Sequence, residues 1–197
     1  MPAEGPGSSR GDLVRAQALA EGLRALGHRV EFVAAAASPA ARTGVTLHRS
    51  LLRRLLPRRL ALALRDLGRA LHSRRHATRV ATVARAFGAE LIVETQVGGV
   101  ASGERAARTA GLPLVLDDCS PTSEEIALGC GLPGLVRRGL ARQLAAAAVV
   151  VAVTQASQEL LLAEGAPAER IRIVPNGVDL ALFPTSEVGE YCPLVSP

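Results

Sequence analysis

Val149-Val150-Val151-Ala152-Val153-Thr154-Gln155 begins the stretch that decides the fold. It runs past Gly165 to Arg170-Ile171-Arg172-Ile173-Val174-Pro175-Asn176-Gly177-Val178-Asp179, and then to Phe183-Pro184. The β-branched run at 149–153 reads as a buried strand. Thr154 offers a hydroxyl to cap a helix over 155–164, and Gly165 stops that helix. Residues 170–174 read as a second strand, closed by a Pro and by an Asn-Gly pair that tolerates positive φ. A strand, a helix and a strand joined this closely predict parallel neighbours in one sheet.

Working outward, the same alternation continues. Leu19, Leu23 and Leu26 sit at helical spacing within 11–27, and Gly27-His28 ends that helix. Strands are predicted at 29–36, 45–48, 89–94 and 113–117, and helices at 103–110 and 135–147. A long basic helical region spans 51–87, with a break or a helix start at Pro57. Six short strands separated mostly by helices predict an α/β, doubly wound, Rossmann-like parallel sheet with helices on both faces. One element is missing from that scheme. The glycine-rich turn Gly5-Pro6-Gly7-Ser8-Ser9-Arg10-Gly11 has no room before it for the strand that usually feeds such a turn. The expectation is a sheet lacking its first central strand, with one domain over 1–184 and a tail over 185–197 where a second domain would begin.

Composition narrows the function classes. At 197 residues the chain suits one core rather than two. Aromatic residues make up 2% and hydrophobic ones 48%, so small aliphatics must build that core. All 23 basic residues are Arg, which points to a compositional bias more than to a nucleic-acid code. Scarce aromatics also argue against stacking on single strands, so nucleic acid is an unlikely partner. Cys119, Cys130 and Cys192 are odd in number and form no C-x-x-C pair, so neither a disulfide framework nor a metal site is expected. The opening residues carry no leader pattern and the longest apolar run, 144–153, is too short to span a bilayer. A cytoplasmic setting is the expectation.

Four constellations could carry chemistry. In the first turn, Gly5, Gly7, Ser8, Ser9, Arg10 and Gly11 would let backbone N–H groups approach an anion at a helix start; the plainer reading is a tight turn. Leu116-Asp117-Asp118-Cys119-Ser120-Pro121 lies at the carboxyl end of a strand, where ligands of open α/β sheets bind. Asp117 and Asp118 could contact hydroxyls or act as a base; the plainer reading is that Asp118 or Ser120 caps the next segment. Third, Thr154 and Asn176-Gly177 carry a cap and a turn. The fourth is the basic helix: Arg58, Arg65, Arg69, His72, His76 and Arg79 fall within about 80° of one another, opposite Leu60, Leu64, Leu67 and Leu71. Between Arg49 and Arg85 there are eleven Arg and one acid, Asp66, for a net formal charge of +10. Arg58, Arg65 and Arg69 could face an anionic membrane; the plainer reading packs the Leu stripe on the sheet and leaves Arg solvated.

The strand, Pro-Asn-Gly-Val-Asp and Phe183, preceded by the strand-Thr154-helix-Gly165 unit, resemble the end of the N-terminal domain in GT-B-type, family-four glycosyltransferases. Gly-Ser-Ser-Arg-Gly, the helix after it and Leu26-Gly27-His28-Arg29-Val30 resemble that family's opening. The resemblance implies the acceptor-side domain of a retaining enzyme that moves a sugar from a nucleotide-sugar donor to an acceptor hydroxyl. It places Gly5–Gly11 and Asp117/Asp118 on the acceptor side, Glu125 in acceptor contact, and Thr154, Asn176, Gly177 and Asp179 at the domain crossing. The cleft-facing His that many members carry near the Asp117 strand end has no counterpart here. Donor binding belongs to the family's C-terminal domain, so the chain itself holds no cofactor, and that domain is its implied partner beside a sugar or lipid acceptor. Such a chain would be inactive alone and could sit peripherally at the inner face of a membrane. The competing reading is a non-catalytic basic module that docks on anionic lipid or a partner chain.

Overall fold

In a computed structural model, residues 11–33, 56–96, 100–118, 126 and 129–177 are described, with side chains from Arg15 onward. Helix α1 is Gly11–Ala25 and helix α2 is Arg58–Phe87. They are followed by β1 (Ile92–Thr95), α3 (Ser102–Ala110), β2 (Leu114–Asp118), α4 (Pro133–Ala146), β3 (Ala147–Ala152), α5 (Gln155–Ala163) and β4 (Ile171–Ile173). The four strands pair in the order β1-β2-β3-β4, and each pair is parallel. Ile92 lies opposite Leu114, and Val150 opposite Ile171. The register slips by one residue beside Leu114/Val115, so Ala148 has no partner across from β2.

Parallel neighbours need a crossover, and right-handed crossovers between strands in sequential order place α3, α4 and α5 on one face. The core confirms that placement. Ala106 and Ala107 of α3, Leu140 and Leu144 of α4, and Leu161 of α5 meet Leu114, Leu116, Val150 and Ile171 in one cluster. Period-two alternation sends Leu114, Leu116 and Asp118 toward these helices and Val115 and Asp117 to the opposite face. Leu116 is fully enclosed, so Leu116→Ala would cost about 2–5 kcal/mol.

Helix α2 lies on α3 and brings Ala81 and Ala84 into the same core cluster. Its buried positions are Asp66, Ser73, Ala77, Ala81 and Ala84, and the α3 residues that share a cluster with Ala81 and Ala84 are equally small, Ala106 and Ala107. Small residues on both sides let the two backbones approach closely. Ser73 Oγ accepts the Ala101 N–H at 2.9 Å, tying the start of α3 to α2. The Leu stripe expected to pack on the sheet does not: Leu60, Leu64, Leu67 and Leu71 are 46–52% exposed. Side-chain size, not hydrophobicity alone, chose the packed face.

The helix stops follow the sequence. Gly27, Gly88, Gly111 and Gly165 all have positive φ just past helix ends, and the Gly88 N–H returns to Ala84 and Arg85 carbonyls. Pro57 precedes α2, as its fixed φ favours. Residues 29–33, expected to enter a strand, have no strand pairing. Arg24 Nη2 donates to the Val30 carbonyl at 2.8 Å instead, and Arg29 stacks on Phe87 with its guanidinium 4.7 Å from the ring centre. The rest of that segment, the strand expected at 45–48, the glycine turn before Gly11 and the boundary near 184 lie outside the described residues.

Candidate functional site

Asp117 is the centre of the carboxyl edge of the sheet. Arg15, on α1, sets Nε 2.9 Å from Asp117 Oδ2 and 3.2 Å from Oδ1, with Nη2 2.8 Å from Oδ1. Arg15 Nη1 also donates to Asn176 Oδ1, on the turn after β4. One guanidinium therefore joins three distant segments: the first helix, the end of β2 and the exit of β4. Both carboxylate oxygens of Asp117 are occupied, and its side chain is 2% exposed. Oδ1 carries two of these contacts and Oδ2 one, which holds the carboxylate against the Arg15 guanidinium. The residue is thus built to position Arg15.

Asp118, the last residue of β2, is also buried and points to the helix-covered face. Both acids belong to the strand itself, one residue further along than its predicted end. The ladder continues beyond the strands at this edge. The Gln96 N–H reaches the Asp117 carbonyl at 2.8 Å, and the Val174 N–H reaches the Ala152 carbonyl at 2.8 Å. Gln96, 3% exposed, thereby joins Asp117 at the edge.

Beside it lies a polar cluster centred on Glu94, the third residue of β1. Glu94 Oε1 accepts from Ser102 Oγ at 3.0 Å and the Gly103 N–H at 2.6 Å. Oε2 accepts from the Glu104 N–H at 3.3 Å and Gln143 Nε2 at 3.0 Å. The carboxylate satisfies the open N–H groups at the start of α3, where the helix dipole favours negative charge. Gln143 Nε2 also donates to the Val100 carbonyl at 3.0 Å. This cluster fixes β1, α3 and α4 relative to one another directly behind the edge.

The other expected residues fall as follows. Thr154 caps α5, its Oγ1 accepting the Ser157 N–H at 3.0 Å, so its hydroxyl has a structural task. Asn176 is exposed and held by Arg15; Gly177 is exposed, lacks positive φ, and has nothing within 4 Å of where a Cβ would stand. The turn there is not one that requires glycine. Gly11 opens α1. Gly5, Gly7, Ser8, Ser9, Arg10, Glu125 and Asp179 lie outside the described residues.

On α2, Arg58 is exposed and Arg69 half-buried, whereas Arg65 turns inward. Its Nη2 is 2.8 Å from Asp66 Oδ1 and 2.8 Å from the Gly129 carbonyl. Asp66 Oδ2 in turn accepts the N–H groups of Gly131 at 2.7 Å and Leu132 at 3.0 Å, and the Cys130 thiol at 3.1 Å. Burial alone would raise the Asp66 pKa, but the bonds from Cys130, Arg65, Leu132 and Gly131 together hold it below the ordinary 3.8. The Cys130 thiol is pushed up, first by burial and then by its bond to Asp66. No helix among the described residues is long and apolar enough to cross a membrane.

Sequence reasoning missed Arg15, Glu94 and Gln96. A signal existed for Glu94: an acid inside an apolar strand, followed eight residues later by Ser102-Gly103, where a helix needs N–H acceptors. Nothing local marks Arg15 among 23 arginines.

A four-stranded parallel sheet with crossover helices, its polar residues gathered at the carboxyl edge, defines a Rossmann-like α/β domain. The profile of glycosyltransferase family 4 matches residues 13–182, and the chain belongs to that family. No curated protein matches the chain.

Proposed function

We propose that this chain forms the acceptor side of a retaining glycosyltransferase, which moves a sugar from a nucleotide-sugar donor to an acceptor hydroxyl. Family membership supports sugar transfer in general. The observation that carries the finer reading is the Arg15–Asp117–Asn176 cluster, which draws three segments of the family match to the carboxyl edge of the sheet. In this reading Asp117 is a positioning residue that orients Arg15, and acceptor hydroxyls dock over the carboxyl edge, between Arg15 on one face of the sheet and Asp118 and Gln96 on the other. The glycine turn at 5–11 and Glu125 complete that polar wall, and Asn176, Gly177 and Asp179 border the crossing to a donor-binding domain. The donor's nucleotide is held by that second domain, so the chain needs it for turnover. The enzyme works at the cytoplasmic side, and the exposed Leu stripe of α2, with Arg74 and Arg85 on the same side of the helix, favours peripheral contact with an anionic membrane.

The test is saturation-transfer NMR of the full chain against a panel of free mono- and disaccharides. At least one should contact the wild-type chain and lose contact in Asp118→Asn, with the thermal midpoint of the variant unchanged. Saccharide contact that persists in Asp118→Asn would remove Asp118 from the wall. Absence of contact with every saccharide would remove the acceptor-side reading and favour a non-catalytic docking module.

A further inference from the structure

We infer that the groove between α2 and α3, on the side of α3 turned away from the sheet, binds a phosphate-bearing ligand. The groove has a volume of ≈ 410 Å³ and a floor of Ala77 and Ala81. Guanidinium groups enter from both walls, Arg74 and Arg85 from α2 and Arg105 and Arg108 from α3, with the Thr78 and Thr109 hydroxyls among them. No acidic residue lines it. The position is independent of the carboxyl edge: Ala106 and Ala107 face the core, so Arg105, Arg108 and Thr109 point outward on the same helix.

Two features show that this cluster is short of negative charge. Arg105 Nε is buried without a hydrogen-bond partner, and a charged donor left in that state costs free energy that an anion would recover. The Arg105 guanidinium also has its pKa lowered, first by burial and then by the positive charges of Arg142, Arg74 and Arg108, against the one opposing carboxylate, Glu104. Glu104 Oε1 is engaged by Arg108 Nη1 at 2.9 Å. Arg85 is already oriented across the groove by its bond to the Thr109 carbonyl.

Guanidinium forks pair with carboxylate and phosphate oxygens alike, but four of them around one groove are better balanced by the multiple charges and oxygens of a phosphate group than by a single carboxylate. The volume exceeds that of one phosphate, so a compact diphosphate or phosphorylated small molecule suits it. A nine-residue wall such as α3 spans only about 14 Å, and no aromatic side chain lines the groove for bases to stack upon. The phosphate could be free or belong to a lipid headgroup, because Leu60, Leu64, Leu67 and Leu71 continue along the same side of α2 as Arg74 and Arg85.

Calorimetric titration of the full chain with pyrophosphate at low salt tests the assignment. Saturable binding is expected, weakened about tenfold or more in Arg105→Gln and in Arg85→Gln. Arg79→Gln, on another face of α2, should change it by less than about twofold. Arg85 is exposed, so its variant keeps the test valid if Arg105→Gln does not fold. Sedimentation with phosphatidylcholine vesicles, with and without phosphatidic acid, separates the sources. A lipid source gives retention on the acidic vesicles alone, lost in Leu64→Glu/Leu71→Glu while pyrophosphate binding persists. A free source gives pyrophosphate binding without retention. Failure of both pyrophosphate and acidic vesicles to bind would overturn the inference. So would an equal loss in Arg79→Gln, which would reduce the effect to net charge.

Discussion

Gly103→Ala sets two physical effects against each other, and the structure says which should win. Gly103 occupies the first turn of α3, where alanine would favour the helix by up to about 1 kcal/mol. Its new Cβ, however, would stand 2.7 Å from Glu94 Cβ, 2.8 Å from Cδ and 2.9 Å from Oε2. Glu94 cannot swing aside freely, since four donors hold its carboxylate. Moving it would break or stretch two or three hydrogen bonds to a buried charge, at about 1.5–3 kcal/mol each. After partial relaxation and the propensity gain, a net loss of about 2–4 kcal/mol is expected. Urea unfolding followed by circular dichroism reads this directly. With a slope of about 2 kcal/mol per molar, the midpoint should fall by about 1–2 M. An unchanged or higher midpoint would mean that Glu94 does not hold α3, and the account of the region behind the site would be wrong.

Three further outcomes follow from the same contacts. Arg15→Ala leaves the buried Asp117 carboxylate without its cation and should cost about 3 kcal/mol in urea unfolding; Asp117→Asn made in the Arg15→Ala background should recover part of that loss. The Asp66 pKa is depressed in the folded state, so its contribution is present above the ordinary value of 3.8 and is lost as pH falls through the folded value. Asp66→Asn should therefore lower stability at neutral pH and flatten the acid limb of the stability profile below about pH 4. With its pKa raised, the Cys130 thiol should alkylate with iodoacetamide more slowly at pH 7.5 than a free cysteine, and a matching or faster rate would contradict the Asp66 contact.

Legibility in the sequence followed pairing and packing. The βα units from Ile92 onward were readable because β-branched runs, the helix stop at Gly165 and the Thr154 cap are local signals. Residues 29–33 read equally well as a strand, but strand formation needs a neighbour, and no described strand pairs with them. Helix α2 misled for a different reason. A helical wheel weights large apolar side chains, whereas close helix-on-helix packing against α3 selected Ala77, Ala81 and Ala84 and left the leucines exposed. At the site, Asp117 and Asp118 were found by position on the strand. The partnership of Asp117 with Arg15, 102 residues away, could come only from the fold, because no spacing rule joins residues that far apart.

On the proposed function, this chain is the acceptor-side half of a sugar-transfer enzyme whose other half holds the donor. The most direct measurement joins the full chain to the donor-binding domain of another family member and assays sugar transfer from UDP- and GDP-sugars onto the saccharide identified by NMR. Transfer is expected in the fusion, none from either half alone, and a loss of at least about tenfold in Asp118→Asn. A folded fusion that binds the nucleotide sugar and still transfers nothing would contradict it.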